Sequence, residues 1–171
     1  KRLVSKTAVE KGLAAPARRP KHTTSVQEKE DGNLKSQKIL LTWMIEDHSV
    51  FSQVKTYLSP EDFTGRIYRE VAELLYKQYE EGSVNPARIL NHFTDEEEHR
   101  EAASLFHTKI RELSTKEEQE KALKETVIRV KNHSIEEAGR TLDPTDIRGL
   151  QKLMEAKKDL QKLFQMQISI K

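Results

Sequence analysis

The sequence ILLTWMIEDHSVFSQVKTYL, at residues 39–58, decides the fold class. Its large apolar residues recur at spacings of three, four and seven, which places them on one face of a helix. They are Leu40, Trp43, Met44, Phe51, Val54 and Leu58. Asp47 interrupts this stripe, so the pattern predicts two consecutive helices that separate near His48-Ser49.

Helix-start signals continue this pattern downstream. Ser59-Pro60-Glu61-Asp62 combines a serine cap, a proline at the first helical position and carboxylates at the positive end of the helix dipole. The helix that follows carries an apolar stripe from Ile67 to Tyr79, and Gly82 is typical of its C-terminal end. Asn85-Pro86 predicts a further short helix.

Two capping boxes predict the next helices. Thr94 with Glu97, and Ser114 with Glu117, place a hydroxyl three residues before a carboxylate, so that each side chain can cap a backbone N–H group of the other. Residues 115–138 then contain no proline and no glycine. The apolar residues of this long helix fall on two stripes, with Leu123, Val127 and Val130 on one and Ile128, Ile135, Ala138 and Leu142 on the other. We therefore expect its two halves to pack against different neighbours.

The long helix contains a weak point, and a last helix follows it. Asn132-His133-Ser134 has low helix propensity and predicts a break there. Asp143-Pro144-Thr145-Asp146 predicts a cap with proline at the first position of the final helix. The second half of the long helix and the final helix would then form a hairpin.

The final helix carries more apolar side chains than one facing helix can cover. They are Ile147, Leu150, Leu153, Met154, Leu160, Leu163 and Phe164. We expect part of this set to contact another protein, with Arg148, Lys152 and Lys157 as a polar rim. The alternative is that the hairpin folds back on the preceding helices and that the whole set is core.

Composition excludes several classes of protein. The 171 residues include 30 Lys or Arg and 28 Asp or Glu, which gives a net charge of +2, and no cysteine. Disulfide scaffolds, thiolate zinc sites and cysteine nucleophiles are therefore excluded. Six glycines and five prolines are too few for an all-β protein. A membrane span needs about 20 apolar residues, and neither such a run nor a signal peptide is present, so we expect a cytoplasmic protein with no membrane partner.

The chain divides into three predicted parts. Residues 1–32 contain eight basic and four acidic residues with few large apolar ones, which predicts a disordered basic linker. Residues 33–130 are predicted to form a helical bundle, and residues 131–171 a helical hairpin. The predicted fold is thus all-α, with an N-terminal helical bundle subdomain joined by a long helix to a C-terminal helical hairpin.

Residue patterns of catalysis are missing from the sequence. There is no glycine-rich phosphate loop and no His-Glu-x-x-His motif. His92 and His99 flank the acidic run 96–98, which allows a metal site, but carboxylates at a helix start account for the same run. We predict no catalytic residue, no metal and no cofactor in this chain. Without aromatic interleaving, the basic residues predict weak or no direct binding of nucleic acid.

Three segments together resemble a known domain. They are LLTWMIED at residues 40–47, LSPEDF at residues 58–63 and IYREVAELL at residues 67–75. They are similar to the C-terminal helicase-binding domain of bacterial replicative DNA primase (the DnaG type). The long helix and the hairpin that opens at Asp143-Pro144 fit the same domain, and the N-terminal domain of the replicative helicase is the nearest alternative.

The resemblance implies a role in DNA replication. In this family the bundle regulates the hexameric replicative helicase (DnaB type), and the hairpin docks onto the N-terminal collar of that helicase. The chain would recruit RNA primer synthesis to the replication fork in the bacterial cytoplasm, with single-stranded DNA-binding protein as a secondary candidate partner. Zinc and magnesium belong to other domains of such a primase. A helical nucleic-acid-binding or regulatory module that uses the basic linker is the alternative from a different class.

Overall fold

The structure is a computed structural model of the chain, and it describes residues 22–107 and 115–170, with side chains from residue 32 onward. These residues form seven α-helices and one 3₁₀ turn, with no strand among them. The all-α prediction is confirmed. In chain order the elements are α1 (His22–Glu46), α2 (His48–Val54), the 3₁₀ turn Pro60–Asp62, α3 (Arg66–Glu80), α4 (Pro86–Leu90), α5 (Glu96–Phe106), α6 (Lys116–Thr141) and α7 (Ile147–Gln165).

Helix α1 lies at the centre of the core. It packs against α2, α3, α5 and α6. Every side chain from Leu40 to Met44 is buried, because neighbours cover several sides of this helix. The polar member of the run, Thr42, donates its hydroxyl to the carbonyl oxygen of Leu105 in α5 at 2.9 Å. The six apolar residues of the stripe at residues 40–58 are all buried, as the sequence predicts.

The predicted break at Asp47 is confirmed. Helix α1 ends at Glu46, and the Asp47 carboxylate accepts a hydrogen bond from the Ser49 backbone N–H at 2.7 Å as the cap of α2. The end of α3 also follows the prediction, since Gly82 adopts a φ of 86°, which residues with a β-carbon rarely adopt.

Three predicted helix starts are displaced in the structure. The segment at residues 59–62 forms only the 3₁₀ turn, and α3 begins later, at Arg66. Helix α5 is capped by Asp95, which accepts from the backbone of Glu97 and Glu98, and not by the predicted Thr94. At α5 the neighbouring Asp95 makes the capping hydrogen bonds, whereas the cap residue of α3, Gly65, makes no side-chain hydrogen bond.

The third displaced start is that of α7. The Asp143 carboxylate accepts from the backbone N–H and the hydroxyl of Thr145 at 2.8 and 2.7 Å, which makes a turn. These hydrogen bonds lower the pKa of Asp143. The cap of α7 is Asp146, so Pro144 lies outside the helix. The predicted cap Ser114 lies outside the described residues, and Thr115 caps α6.

Two predictions about continuity are wrong. Helix α6 runs without interruption from Lys116 to Thr141, so there is no break at Asn132-His133-Ser134. Helix α1 begins at His22, so the last part of the predicted linker, residues 22–32, is helical, while residues 1–21 lie outside the described residues. Tertiary contacts on both sides of these residues offset their low helix propensity, since Lys131 and Ile135 are buried and the Ser134 hydroxyl donates to the Asp62 carboxylate.

The sequence gives no sign of one buried polar contact that positions α3. Gln37 is fully buried in α1, and its amide donates to the Thr64 hydroxyl at 2.7 Å. Its amide oxygen accepts from the backbone N–H groups of Thr64 and Gly65 at 3.1 and 3.3 Å. Because Gly65 is the cap residue of α3 and has no side chain to offer, Gln37 satisfies backbone groups at the start of that helix.

Candidate functional site

Helix α7 runs back along α6, which is its main packing partner. Three apolar side chains on its first half are exposed: Ile147 by 71%, Leu150 by 39% and Met154 by 61%. Their spacing of three and four places them on one side of the helix. We call these three residues the α7 face. Exposed apolar side chains that share one side of a helix are typical of a surface that binds another protein.

The other predicted docking residues of α7 do not belong to the α7 face. Phe164 is 59% exposed, about three turns beyond Met154. Leu153 and Leu160 are half-buried, and Leu160 packs against the core. Leu163 is fully buried, so its prediction as an accessible docking residue is wrong. Leu163 belongs to the apolar core, and the alternative prediction of core packing holds for it.

The charges on α7 are mostly positive. The predicted rim residues Arg148, Lys152 and Lys157 are all exposed. Lys158 and Lys162 add to them, against only Glu155 and Asp159. The Asp159 carboxylate lies 2.8 Å from the Lys162 ammonium group and raises the pKa of that lysine. An apolar face beside basic groups fits a partner that offers an apolar pocket with acidic groups at its edge.

A buried ion pair fixes α6, the helix on which α7 packs. The Lys131 ammonium group lies 3.0 Å from the Asp62 carboxylate of the 3₁₀ turn, and both side chains are about nine-tenths buried. The same carboxylate accepts from the Ser134 hydroxyl at 2.7 Å and from the Ser59 backbone N–H at 2.8 Å. Sequence reasoning missed this contact, because Asp62 also fits a helix start and a lysine in a helix is usually exposed.

A cleft of about 660 Å³ lies between the 3₁₀ turn and the α6–α7 connection. Asp62 and Lys131 are among the residues that line it. The acidic groups at its edge, Asp143 and Asp146, already accept hydrogen bonds from nearby backbone N–H groups. The carboxylates of Asp62, Asp143 and Asp146 are thus all engaged by groups of the chain itself.

The acidic run in α5 does not assemble a metal site. Glu96 pairs with Arg100, and Glu98 pairs with Arg66 of α3. The nearest carboxylate contact of His92 is with Glu70, at 4.0 Å. Within residues 22–107 and 115–170, no group of three His, Cys, Asp or Glu residues could hold a metal ion.

Comparison with known proteins gives no relative for this chain. No family model, no curated protein and no solved structure matches it. Among the helices that the structure describes, none is long and apolar enough to cross a membrane.

Proposed function

We propose that this chain is the noncatalytic helicase-interaction domain of a bacterial DNA primase. It docks through the α7 face onto the N-terminal collar of the hexameric replicative helicase. It thereby brings RNA primer synthesis to the replication fork and modulates the helicase. In this proposal residues 33–130 form the regulatory bundle and residues 131–171 the docking hairpin, and single-stranded DNA-binding protein is a secondary partner in the bacterial cytoplasm.

The observation that carries the proposal is the exposure of Ile147, Leu150 and Met154 on a helix whose opposite side is packed. Full burial of one large apolar side chain contributes about 1.5–3 kcal/mol relative to its exposed state. Apolar side chains at the centre of an interface contribute a large part of the binding energy in many complexes of two folded proteins. The resemblance to the primase domain supplies the identity of the partner.

The basic groups beside the α7 face support the same role. Lys157 and Lys158 are exposed next to the apolar residues, and their charges stay in water at the rim of a complex. Rim charges mainly accelerate association, and salt screens them. We therefore attribute the affinity to the apolar residues and expect the basic residues to affect chiefly the association rate.

The test is co-elution of the chain with a DnaB-type helicase, using single substitutions on the α7 face. Ile147→Asp and Met154→Asp each remove an apolar contact and place a charge in the interface, so we expect binding to weaken at least tenfold, a loss of about 1.4 kcal/mol. The melting temperature should stay close to that of the unchanged chain, because both side chains are exposed.

Ser83→Asp is the matched control, because it adds the same charge at an exposed position after α3. It should bind as the unchanged chain does. A well-folded chain that never co-elutes with the helicase would contradict the proposal. Equal binding by the α7 variants and the control would show that the α7 face is not the docking surface.

A further inference from the structure

The segment that follows α7, residues 166–170, has its own attachment to the bundle. Ile168 is only 4% exposed and belongs to the apolar core. The Gln53 amide of α2 donates to the Ser169 carbonyl oxygen at 2.6 Å and accepts from the Ser169 backbone N–H at 3.0 Å. The Glu120 carboxylate of α6 accepts from the Ser169 hydroxyl at 3.1 Å and from the Ile170 backbone N–H at 3.0 Å.

These contacts use the chemistry by which proteins bind extended peptides. Backbone hydrogen bonds hold the segment, while alternate side chains enter apolar pockets. Met166, Ile168 and Ile170 alternate in this way, and all three pack on the core. Gln167, between them, is exposed. The segment thus packs an apolar residue on the core at every second position, while Gln53 and Glu120 bind its backbone.

We propose that the groove bordered by Gln53 and Glu120 is an extended-peptide binding site, which residues 166–170 of the same chain occupy reversibly. We call this segment the strap. Its occupancy fastens the end of α7 to the bundle, and its release uncovers the apolar groove and frees that end of the helix. This inference does not depend on the identity of the helicase partner.

The contacts explain why the strap can open while the bundle stays folded. The hydrogen bonds between Gln53 and Ser169 are exposed, so water competes for them and their net contribution is small. Apart from the strap, the last turn of α7 is held by the buried Leu163 and by the Lys124 ammonium group, which donates to the Phe164 carbonyl oxygen at 2.8 Å. Because the strap is only five residues long, its contacts sum to less than those of the whole fold, and it opens locally at a smaller free energy than global unfolding.

The first experiment uses a chain truncated after Gln165 and a labelled peptide of residues 166–171. The peptide should bind the truncated chain and bind the full chain at least tenfold more weakly, because the tethered strap competes at an effective concentration of about a millimolar. A peptide with Ile168→Asp should not bind. A peptide with Gln167→Ala, the matched control, should bind like the unchanged peptide.

The second experiment uses the full chain, so that it decides the question if the truncated chain fails to fold. Ile168→Ala and Gln53→Ala should accelerate amide hydrogen exchange in the last turns of α7 about tenfold or more, and leave α3 unchanged. Gln167→Ala should change neither. A common acceleration of α7 and α3 would show that the segment is ordinary core, and this would overturn the proposal. The proposal also fails if a folded truncated chain does not bind the peptide.

Discussion

Helices α3 and α7 have similar amphipathic patterns but different surroundings. In α3, Val71, Ala72 and Leu75 are fully buried, because α1, α4, α5 and the 3₁₀ turn surround this helix. In α7 the only buried residue is Leu163, and Met154 is 61% exposed. The comparison shows that a pattern of apolar residues identifies a face of a helix, while the neighbours decide whether that face is core or free surface.

The same contrast appears along α6. Val127 and Val130 are fully buried in the part that packs on α1, whereas Ala138, two turns further, is exposed. The buried Asp62–Lys131 pair lies between these two parts. It holds the last covered section of α6 against the 3₁₀ turn, and the helix continues from there to carry α7.

The largest expected effect on stability comes from the Asp62–Lys131 ion pair, which lies between the covered and the exposed parts of α6. Asp62→Ala leaves the buried Lys131 ammonium group without its partner, so we expect a loss of about 3–5 kcal/mol in the free energy of unfolding, measured by urea denaturation. Replacement of both residues, Asp62→Ala with Lys131→Met, should cost less than Asp62→Ala alone.

The control for this prediction lies on the same helix. Glu137→Ala removes an exposed pair with Arg140 and should change stability by at most about 0.5 kcal/mol. If Asp62→Ala lowers the free energy of unfolding by less than about 1 kcal/mol, water reaches Lys131. The packing of α6 against the 3₁₀ turn would then not depend on this ion pair.

A pair of truncations tests the contrast between α3 and α7 directly. Leu75→Ala opens a cavity in the fully buried core and should cost about 2–5 kcal/mol in urea denaturation. Met154→Ala removes a mainly exposed side chain and should change stability by at most about 0.5 kcal/mol. Comparable losses for the two variants would mean that Met154 is covered in solution, and the α7 face would not be free to dock.

Much of the fold could be predicted from the sequence, because the apolar spacing and the glycine and proline positions act locally. The break at Asp47 and the end of α3 at Gly82 follow from such signals. The sequence does not decide a helix start where two capping residues are adjacent, as with Thr94 and Asp95, since only the three-dimensional course of the chain selects one of them.

The candidate site could be predicted only in part. Leu163 and Met154 are both large apolar residues of one helix, yet one is fully buried and the other exposed. Their difference comes from the point at which α7 meets the apolar core, which is a long-range contact. Gln37 and Lys131 could not be predicted as buried for the same reason, because their partners are distant in sequence.

The smallest predicted effect concerns alkaline pH, and it again separates α3 from α7. Burial, with the charge and hydrogen bond of Glu101, raises the pKa of Tyr68 from 10.0 to about 12, and burial also raises the pKa of Tyr76 and Tyr79. All three lie in α3, and α7 contains no tyrosine. The unfolded chain therefore releases these phenol protons first, so stability is full below pH 10 and falls as the pH rises towards the folded-state pKa.

Urea denaturation at about pH 9 and about pH 11 measures this fall. Tyr68→Phe removes one of the phenols and should make the fall smaller. Between these two pH values, amide exchange should accelerate more in α3 than in the first turns of α7, after correction for the intrinsic pH dependence of exchange. If the free energy of unfolding of the Tyr68→Phe variant falls as steeply with pH as that of the unchanged chain, the Tyr68 phenol ionises equally well in the folded and unfolded states. The residues that cover α3 would then not protect this phenol from water.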